Sequence, residues 1–155
     1  MRASVIGEAL LRDLTVPAAP PGPRVEEADA AAVAAWRDLR HREFVLAQGL
    51  FPGSDRDDVD DDPRTIVLVA RDADGAVVGG VRLAPATPDD VGWWRGSRLV
   101  VSADGRGAGP ALVRAACARA EAAGVLRFDA TVQRRYAGLF ARLGWDTVRP
   151  VELVA

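Results

Sequence analysis

The sequence predicts an α/β domain: a mixed, mostly antiparallel central sheet flanked by helices. Three observations carry that prediction. Apolar, β-branched runs at 65–70, 76–83 and 93–101 follow one another across short turns, the mark of antiparallel neighbours. A helical pattern precedes them, and the third run passes through a glycine-rich turn into an alanine-rich helix. The order helix, three strands, helix, strand, helix, strand then excludes a strictly alternating parallel fold.

The elements follow in order. Residues 1–23 hold an apolar stretch at 5–14 and a proline-rich run at 17–23, a short element and stiff linker ahead of a domain spanning 24–155. From 26 to about 48 the composition is helical, with Val33, Trp36 and Phe44 on or near one face and Leu39 beside it. Gly49 and then Pro52-Gly53 end that helix. Residues 54–62 form an acidic loop. A buried strand at 65–70, the hairpin signal Asp72-Ala73-Asp74-Gly75, a return strand at 76–83 and a third strand at 93–101 come next. A helix at about 108–123 stops at Gly124. A strand at 126–132, a short helix at 133–143 ended by Gly144, and a last strand at 145–154 complete the chain.

At 155 residues and 49% hydrophobic content, the chain fits one domain with a sizeable core. A formal net charge of -2 speaks against nucleic acid and against an anionic membrane as partners. Every basic residue other than His41 is arginine. Without lysine there is neither a Walker A loop nor a pyridoxal Schiff base. One histidine and one cysteine cannot build a Cys/His zinc site, so no metal is expected. Cys117, four residues after Val113 in a helical pattern, reads as a small buried hydrophobe. With no signal peptide and no apolar stretch of about 20 residues, a cytoplasmic location is expected.

The turn Arg106-Gly107-Ala108-Gly109-Pro110-Ala111 is the most specific motif. Its glycines let backbone approach a ligand, and a helix start offers unpaired N–H groups and a partial positive charge, so an anion such as pyrophosphate suits it. A dinucleotide fingerprint fails in register, since the sixth position counted from Gly105 is Pro110 and from Gly107 is Leu112. Arg-x-x-Gly-x-Ala does fit, at Arg106, Gly109 and Ala111. With Val101 before it and Leu112-Val113 after it, the turn resembles the acetyl-CoA motif of the GCN5-related N-acetyltransferases (GNAT).

The resemblance covers roughly residues 25–148 and implies the GNAT fold. It implies that 106–111 hold the pyrophosphate of acetyl-CoA, while the strand ending in Val100 and Val101 pairs with pantetheine. Pro110 suits a first helical turn but donates no N–H, so the cradle has one amide fewer than usual. Arg106 either lends charge to the phosphates or is solvated.

Further stretches narrow the resemblance. The run from Leu39 to Asp57, with Val81-Arg82, Trp94-Arg95-Gly96-Ser97-Arg98-Leu99, Val132-Gln133 and Leu143-Gly144-Trp145, is similar to a nitrilase-cluster group often labelled nitrogen-starvation N-acetyltransferases. Ala47 departs from that group's glutamate and Tyr136 from its asparagine. The strings Arg82-Leu83-Ala84-Pro85-Ala86-Thr87 and Ser97-Arg98 also look like acyl-homoserine lactone synthases. Those share the core, use S-adenosylmethionine and tend to be longer.

Acetyl transfer to an amine asks for deprotonation of the amine, stabilisation of an oxyanion, and a proton for the leaving thiolate. The family's usual base lies on or near the fourth strand, yet 93–101 contains no carboxylate. Glu43 and, in the acidic loop, Asp58 or Asp60 remain as candidates. The alternatives are an ion pair of Glu43 with Arg40 or Arg42, and a solvated loop or one that attracts a cationic amine. At the place of the family's thiolate-protonating tyrosine stands Phe140. Tyr136, the only tyrosine, lies one turn earlier and is the candidate acid, with lone His41 a further candidate.

Alternation puts Trp94, Gly96 and Arg98 on one face and Trp93, Arg95, Ser97 and Leu99 on the other. In the related families Arg82, Trp94 and Arg98 would face the acceptor, and arginines there favour an acceptor bearing a carboxylate. The expectation is an acetyl-CoA-dependent N-acetyltransferase acting on a small amine. The alternatives are an acyl-homoserine-lactone-synthase-like acyltransferase or a non-catalytic acyl-CoA binding module. Because the family usually has one more strand after that beginning at Trp145, either another protomer completes the sheet edge, as a homodimer, or the natural sequence is shortened there.

Overall fold

The structure, a computed structural model, describes residues 22–151. The strands are β1 (Arg24–Glu27), β2 (Ile66–Arg71), β3 (Val77–Pro85), β4 (Trp93–Val101) and β5 (Arg127–Ala130). They lie in sequence order in one sheet, the first three pairings antiparallel and β4 with β5 parallel. The helices are α1 (Ala30–Arg40), continued as a π-helix (His41–Ala47), the single turn α2 (Asp58–Asp61), α3 (Ala108–Ala122), and α4 (Ala137–Arg142) after a 3-10 turn (Arg134–Tyr136). The mixed sheet flanked by helices is the predicted fold. Among the described residues no helix is long and apolar enough to cross a membrane.

The two faces of the sheet carry separate cores. On one, α3 packs Leu112, Val113, Ala116 and Cys117 against Leu68, Val81, Leu83, Trp94 and Phe128. On the other, α1 and the π-helix set Trp36 and Phe44 against Val69 and Val100. Glycines on β3 permit this closeness: a Cβ on Gly80 would lie 2.4 Å from Trp36 Cδ1, and one on Gly79 only 2.9 Å from the Val100 carbonyl. Trp36 is wholly buried there. The hairpin forms as expected, with Gly75 at φ +83 and the Asp72 carboxylate accepting from the N–H groups of Asp74 and Ala76.

Three expectations need correction. The first helix starts later than residue 26, because 24–27 pair with β2 as an edge strand and Asp29 caps the helix by accepting from the Ala32 N–H at 2.8 Å. The acidic stretch is not a plain loop, since Asp57 and Asp60 form a capping box around α2. The last strand is missing from 145–151, where the chain is coil and Trp145 packs its ring on Phe140 and Phe128, at centroid distances of 5.2 and 5.7 Å. The remainder of that expected strand lies outside the described residues, as do the expected element and all but the end of the linker in 1–23.

Candidate active site

The site begins with a fault in the β3–β4 ladder. Gly80 faces Val100 and Arg82 faces Ser97, so Arg98 and Leu99 together oppose Val81 alone, which is a β-bulge. Arg98 has φ +55, the only positive φ among the described non-glycine residues. A left-handed conformation outside glycine costs about 1–2 kcal/mol, so surrounding contacts must hold it.

The bulge also overturns strict alternation along β4. Trp94 and Leu99 pack toward α3 and Val100 toward α1. Ser97 and Arg98 both turn to the α1 face, where Ser97 Oγ accepts from Arg82 Nε at 2.8 Å and Arg98 reaches Asp55 and Asp57. Trp94, expected on the acceptor side with Arg98, instead lies in the α3 core with its indole N–H donated to Asp90.

Arg98 belongs to a charge-balanced cluster of three arginines and three aspartates. Buried Arg40 donates to Asp55 and to Asp60 at 2.6 Å each, and its guanidinium sits 4.5 Å from the Trp36 ring centroid. Buried Arg82 donates to both oxygens of Asp57, at 2.6 and 2.7 Å, and approaches Asp60 at 3.0 Å. Arg98 donates to the Asp55 carbonyl at 3.0 and 3.2 Å, pairs with Asp57 at 3.3 Å and covers the Phe51 ring at 4.5 Å.

Burial alone would raise the Asp60 carboxyl, but the hydrogen bond and charge of Arg40 and the charge of Arg82 hold it well below the usual carboxylate range. Asp57 is depressed likewise, with Arg82 outweighing its burial. Burial and the neighbouring Arg82 lower Arg98. Asp60 is therefore a structural counterion and does not fit the role of base. Asp58 is exposed on α2 and stands outside the cavity described next, while its neighbour Asp57 lines it.

β5 pairs with β4 only as far as Gly96, opposite Ala130, although β4 runs on to Val101. Among the described residues, the backbone groups of 97–101 that point toward β5 thus have no strand to pair with. Through this gap runs a cavity of about 580 Å³. Phe44, Leu50, Phe51, Asp57 and Arg82 wall its α1 side, and Val113, Phe128, Tyr136, Phe140 and Trp145 line the other. Among the described residues Asp57 is the only carboxylate that lines it, and it is already saturated by Arg82, Arg98 and the Val59 N–H.

At the end of β4 the glycine turn leads into α3. Gly107, at φ +80, caps the helix. The Ala108 N–H is taken by the Gly105 carbonyl at 3.0 Å and that of Ala111 reaches Gly107 at 3.4 Å, while Pro110 has none. The N–H groups of Arg106, Gly107 and Gly109 keep no partner among the described residues. Arg106 is exposed and forms no ion pair among those residues. Val101 packs with the α3 core and Val100 with the α1 core.

The two candidate catalytic side chains come close but differ in access. Tyr136 lines the cavity, with Arg135 stacked 4.8 Å from its ring centroid. Glu43 sits outside the cavity wall, accepting from Gln48 Nε2 and, at 3.3 Å, from Arg135. Gln48 in turn accepts from cavity-lining Gln133, which ties the π-helix to the segment after β5. His41 is exposed on the π-helix. Sequence reasoning missed Asp55 and Asp57 as partners of Arg40 and Arg82; the Asp57-x-x-Asp60 capping spacing was the available signal.

The sequence pattern of the Acetyltransferase (GNAT) family matches residues 26–145. The chain belongs to this family. A GNAT chain therefore carries the gap between β4 and β5 and the turn that follows it, and the usual cosubstrate of such proteins is acetyl-CoA. Among solved structures, an acyl-CoA N-acyltransferase from Pseudomonas aeruginosa is 25% identical with a TM-score of 0.68, over 84% of this chain and 92% of the other. A GNAT family acetyltransferase from Brucella melitensis, in complex with acetyl-CoA, is 20% identical with a TM-score of 0.65, over 81% and 83%. An acetyltransferase from Trypanosoma brucei is 15% identical with a TM-score of 0.65, over 86% and 99%. No curated protein matches the chain significantly.

Proposed function

We propose that this GNAT protein transfers the acetyl group of acetyl-CoA to a small amine. One observation carries the proposal: the unpaired amides of Arg106, Gly107 and Gly109 stand at the end of a β4 whose second half faces an open gap leading into the cavity. The turn amides suit the pyrophosphate. The free edge of β4 suits the amides of pantetheine, and the cavity suits the thioester and its acceptor. The amine nitrogen attacks the thioester carbon, the C–S bond breaks as the tetrahedral intermediate collapses, and the thiolate leaves as CoA. Tyr136 is the cavity's phenol and the proposed proton donor to that thiolate; the acceptor's proton passes to solvent.

Chemistry of the cavity narrows the acceptor. The arginines Arg82 and Arg98 are occupied by aspartates, and among the described residues no free carboxylate is available to hold a second cationic group. A small, largely apolar amine with at most one positive charge fits such a wall. The apolar stretch of Phe44, Leu50, Phe51 and Val59 supports a second reading, an acyl chain longer than acetyl, as in the acyl-homoserine lactone synthases. β5 has no outer neighbour among the described residues, which supports a homodimer completing that edge.

The test joins binding to turnover. Acetyl-CoA at about one hundred times its Kd stabilises a folded protein by about 2.7 kcal/mol, roughly 5–10 °C for a chain of this size. A panel of small amines then liberates CoA from acetyl-CoA. Thermal stabilisation by a long acyl-CoA together with S-adenosylmethionine, but not by acetyl-CoA, points to the second reading. No stabilisation by acetyl-CoA or CoA at millimolar concentration would falsify both.

A further inference from the structure

We propose that Arg98 is a positioning residue: its side chain, anchored on the α1 face of the sheet, holds the β4 bulge in the shape that presents backbone to the thioester carbonyl. The proposal rests on the function proposed above. Arg98 adopts the one left-handed non-glycine conformation among the described residues, at the point where Arg98 and Leu99 together oppose Val81. A strained residue persists only where its surroundings over-determine it. Here they do so from three directions: two hydrogen bonds to the Asp55 carbonyl, ion pairs to Asp55 and Asp57, and the face of Phe51.

Those anchors are themselves fixed. Arg40 Nε holds the Asp55 carboxylate at 2.6 Å and Arg40 Nη2 holds its carbonyl at 3.2 Å, while Arg82 grips Asp57 with two nitrogens. The segment from Phe51 to Asp60 thus acts as a clamp on β4 from the α1 face. The same two bulge residues line the cavity, as do Gly96 and Ala130. Backbone groups released from a ladder by a bulge are free to meet a ligand. Donors that stabilise developing negative charge act through placement, and a displacement of about 1 Å can lower a rate on the order of a hundredfold. The backbone geometry of β4 at the gap is in this way set by ion pairs on the α1 side of the cavity.

Arg98→Gly tests this cleanly. Glycine adopts positive φ without strain, Asp55 keeps Arg40, and Asp57 keeps Arg82, so the variant retains partners for both carboxylates. In the free protein, the amides of Gly80 and Val81 on the facing strand shift and exchange faster with solvent in Arg98→Gly than in wild type, whereas amides of that strand unchanged in shift and exchange overturn the proposal without reference to any ligand. With carbonyl-labelled acetyl-CoA bound, the wild-type carbonyl 13C resonance lies downfield of free acetyl-CoA. In Arg98→Gly it returns toward the free position, kcat falls roughly tenfold or more, and Kd for acetyl-CoA stays within about threefold. Arg98→Lys, which keeps a single charged contact, recovers part of both. A carbonyl resonance equal to wild type in Arg98→Gly, or a loss confined to acetyl-CoA affinity, overturns the positioning role. If the wild-type chain binds no acetyl-CoA, the function proposed above fails instead, and the free-protein amide comparison still judges the clamp.

Discussion

Asp60 shows how a residue's type can mislead about its task. As an aspartate in an acidic run it was a candidate base, yet it is buried between Arg40 and Arg82 and is held ionised. Asp60→Asn leaves two buried guanidinium groups short of a counterion, and breaking a buried pair in this way costs about 3–5 kcal/mol. A urea midpoint equal to wild type would contradict the counterion role. The same carboxylates fix the response to acid. Asp57, Asp60 and Asp129 lie below their ordinary range, and hydrogen bonds from Arg64 bring Asp62 to about 2. A depressed folded pKa stabilises the protein above the unfolded value, near 3.9, and that stabilisation is lost as pH falls from there through the folded pKa. Urea midpoints are expected to be level from pH 7 to about 5 and to drop steeply below about 4. A midpoint unchanged down to pH 3 would sink the assignment.

Among the elements, β4 and the hairpin were legible because an apolar run bounded by turns and Asp-Ala-Asp-Gly turn chemistry are local signals. β1 was not, since four residues directly before a helix carry no period long enough to separate them from it. The bulge was invisible for a different reason. Nothing in Ser97-Arg98-Leu99 marks an extra residue, and the register shift arises only when Gly80 and Arg82 on β3 meet fixed partners. Gly80 also admits Trp36, so Gly80→Ala forces an indole out of a sealed site. Overpacking of this kind costs about 1–3 kcal/mol. Differential scanning calorimetry should show a lower Tm with acetyl-CoA affinity at the unfolded-corrected level of wild type. An unshifted Tm would mean that Trp36 yields freely.

Over the whole molecule, the glycine turn and element order were enough to place the chain in its family, because both are encoded within short stretches of sequence. The charge cluster was not legible, since it joins residues 40, 55, 57, 60, 82 and 98 across four separate segments. Its neutralised carboxylates leave the cavity without an available carboxylate base among the described residues, which sets an expectation for the whole reaction. The pH at which kcat/KM levels off should follow the pKa of the amine supplied, moving upward when a more basic amine replaces a less basic one. An inflection that stays fixed across amines would reveal a protein group doing the deprotonation.

The single thiol has a practical meaning of its own. Cys117 is buried in the α3 core, where desolvation pushes it up to about 11. A thiol-reactive dye mixed with the native protein is therefore blind to the polypeptide and colours only with newly liberated CoA. In denaturant the same dye reports one equivalent per chain. Turnover in the native protein and chain concentration in denaturant can thus be counted with one reagent, in separate samples, without a label.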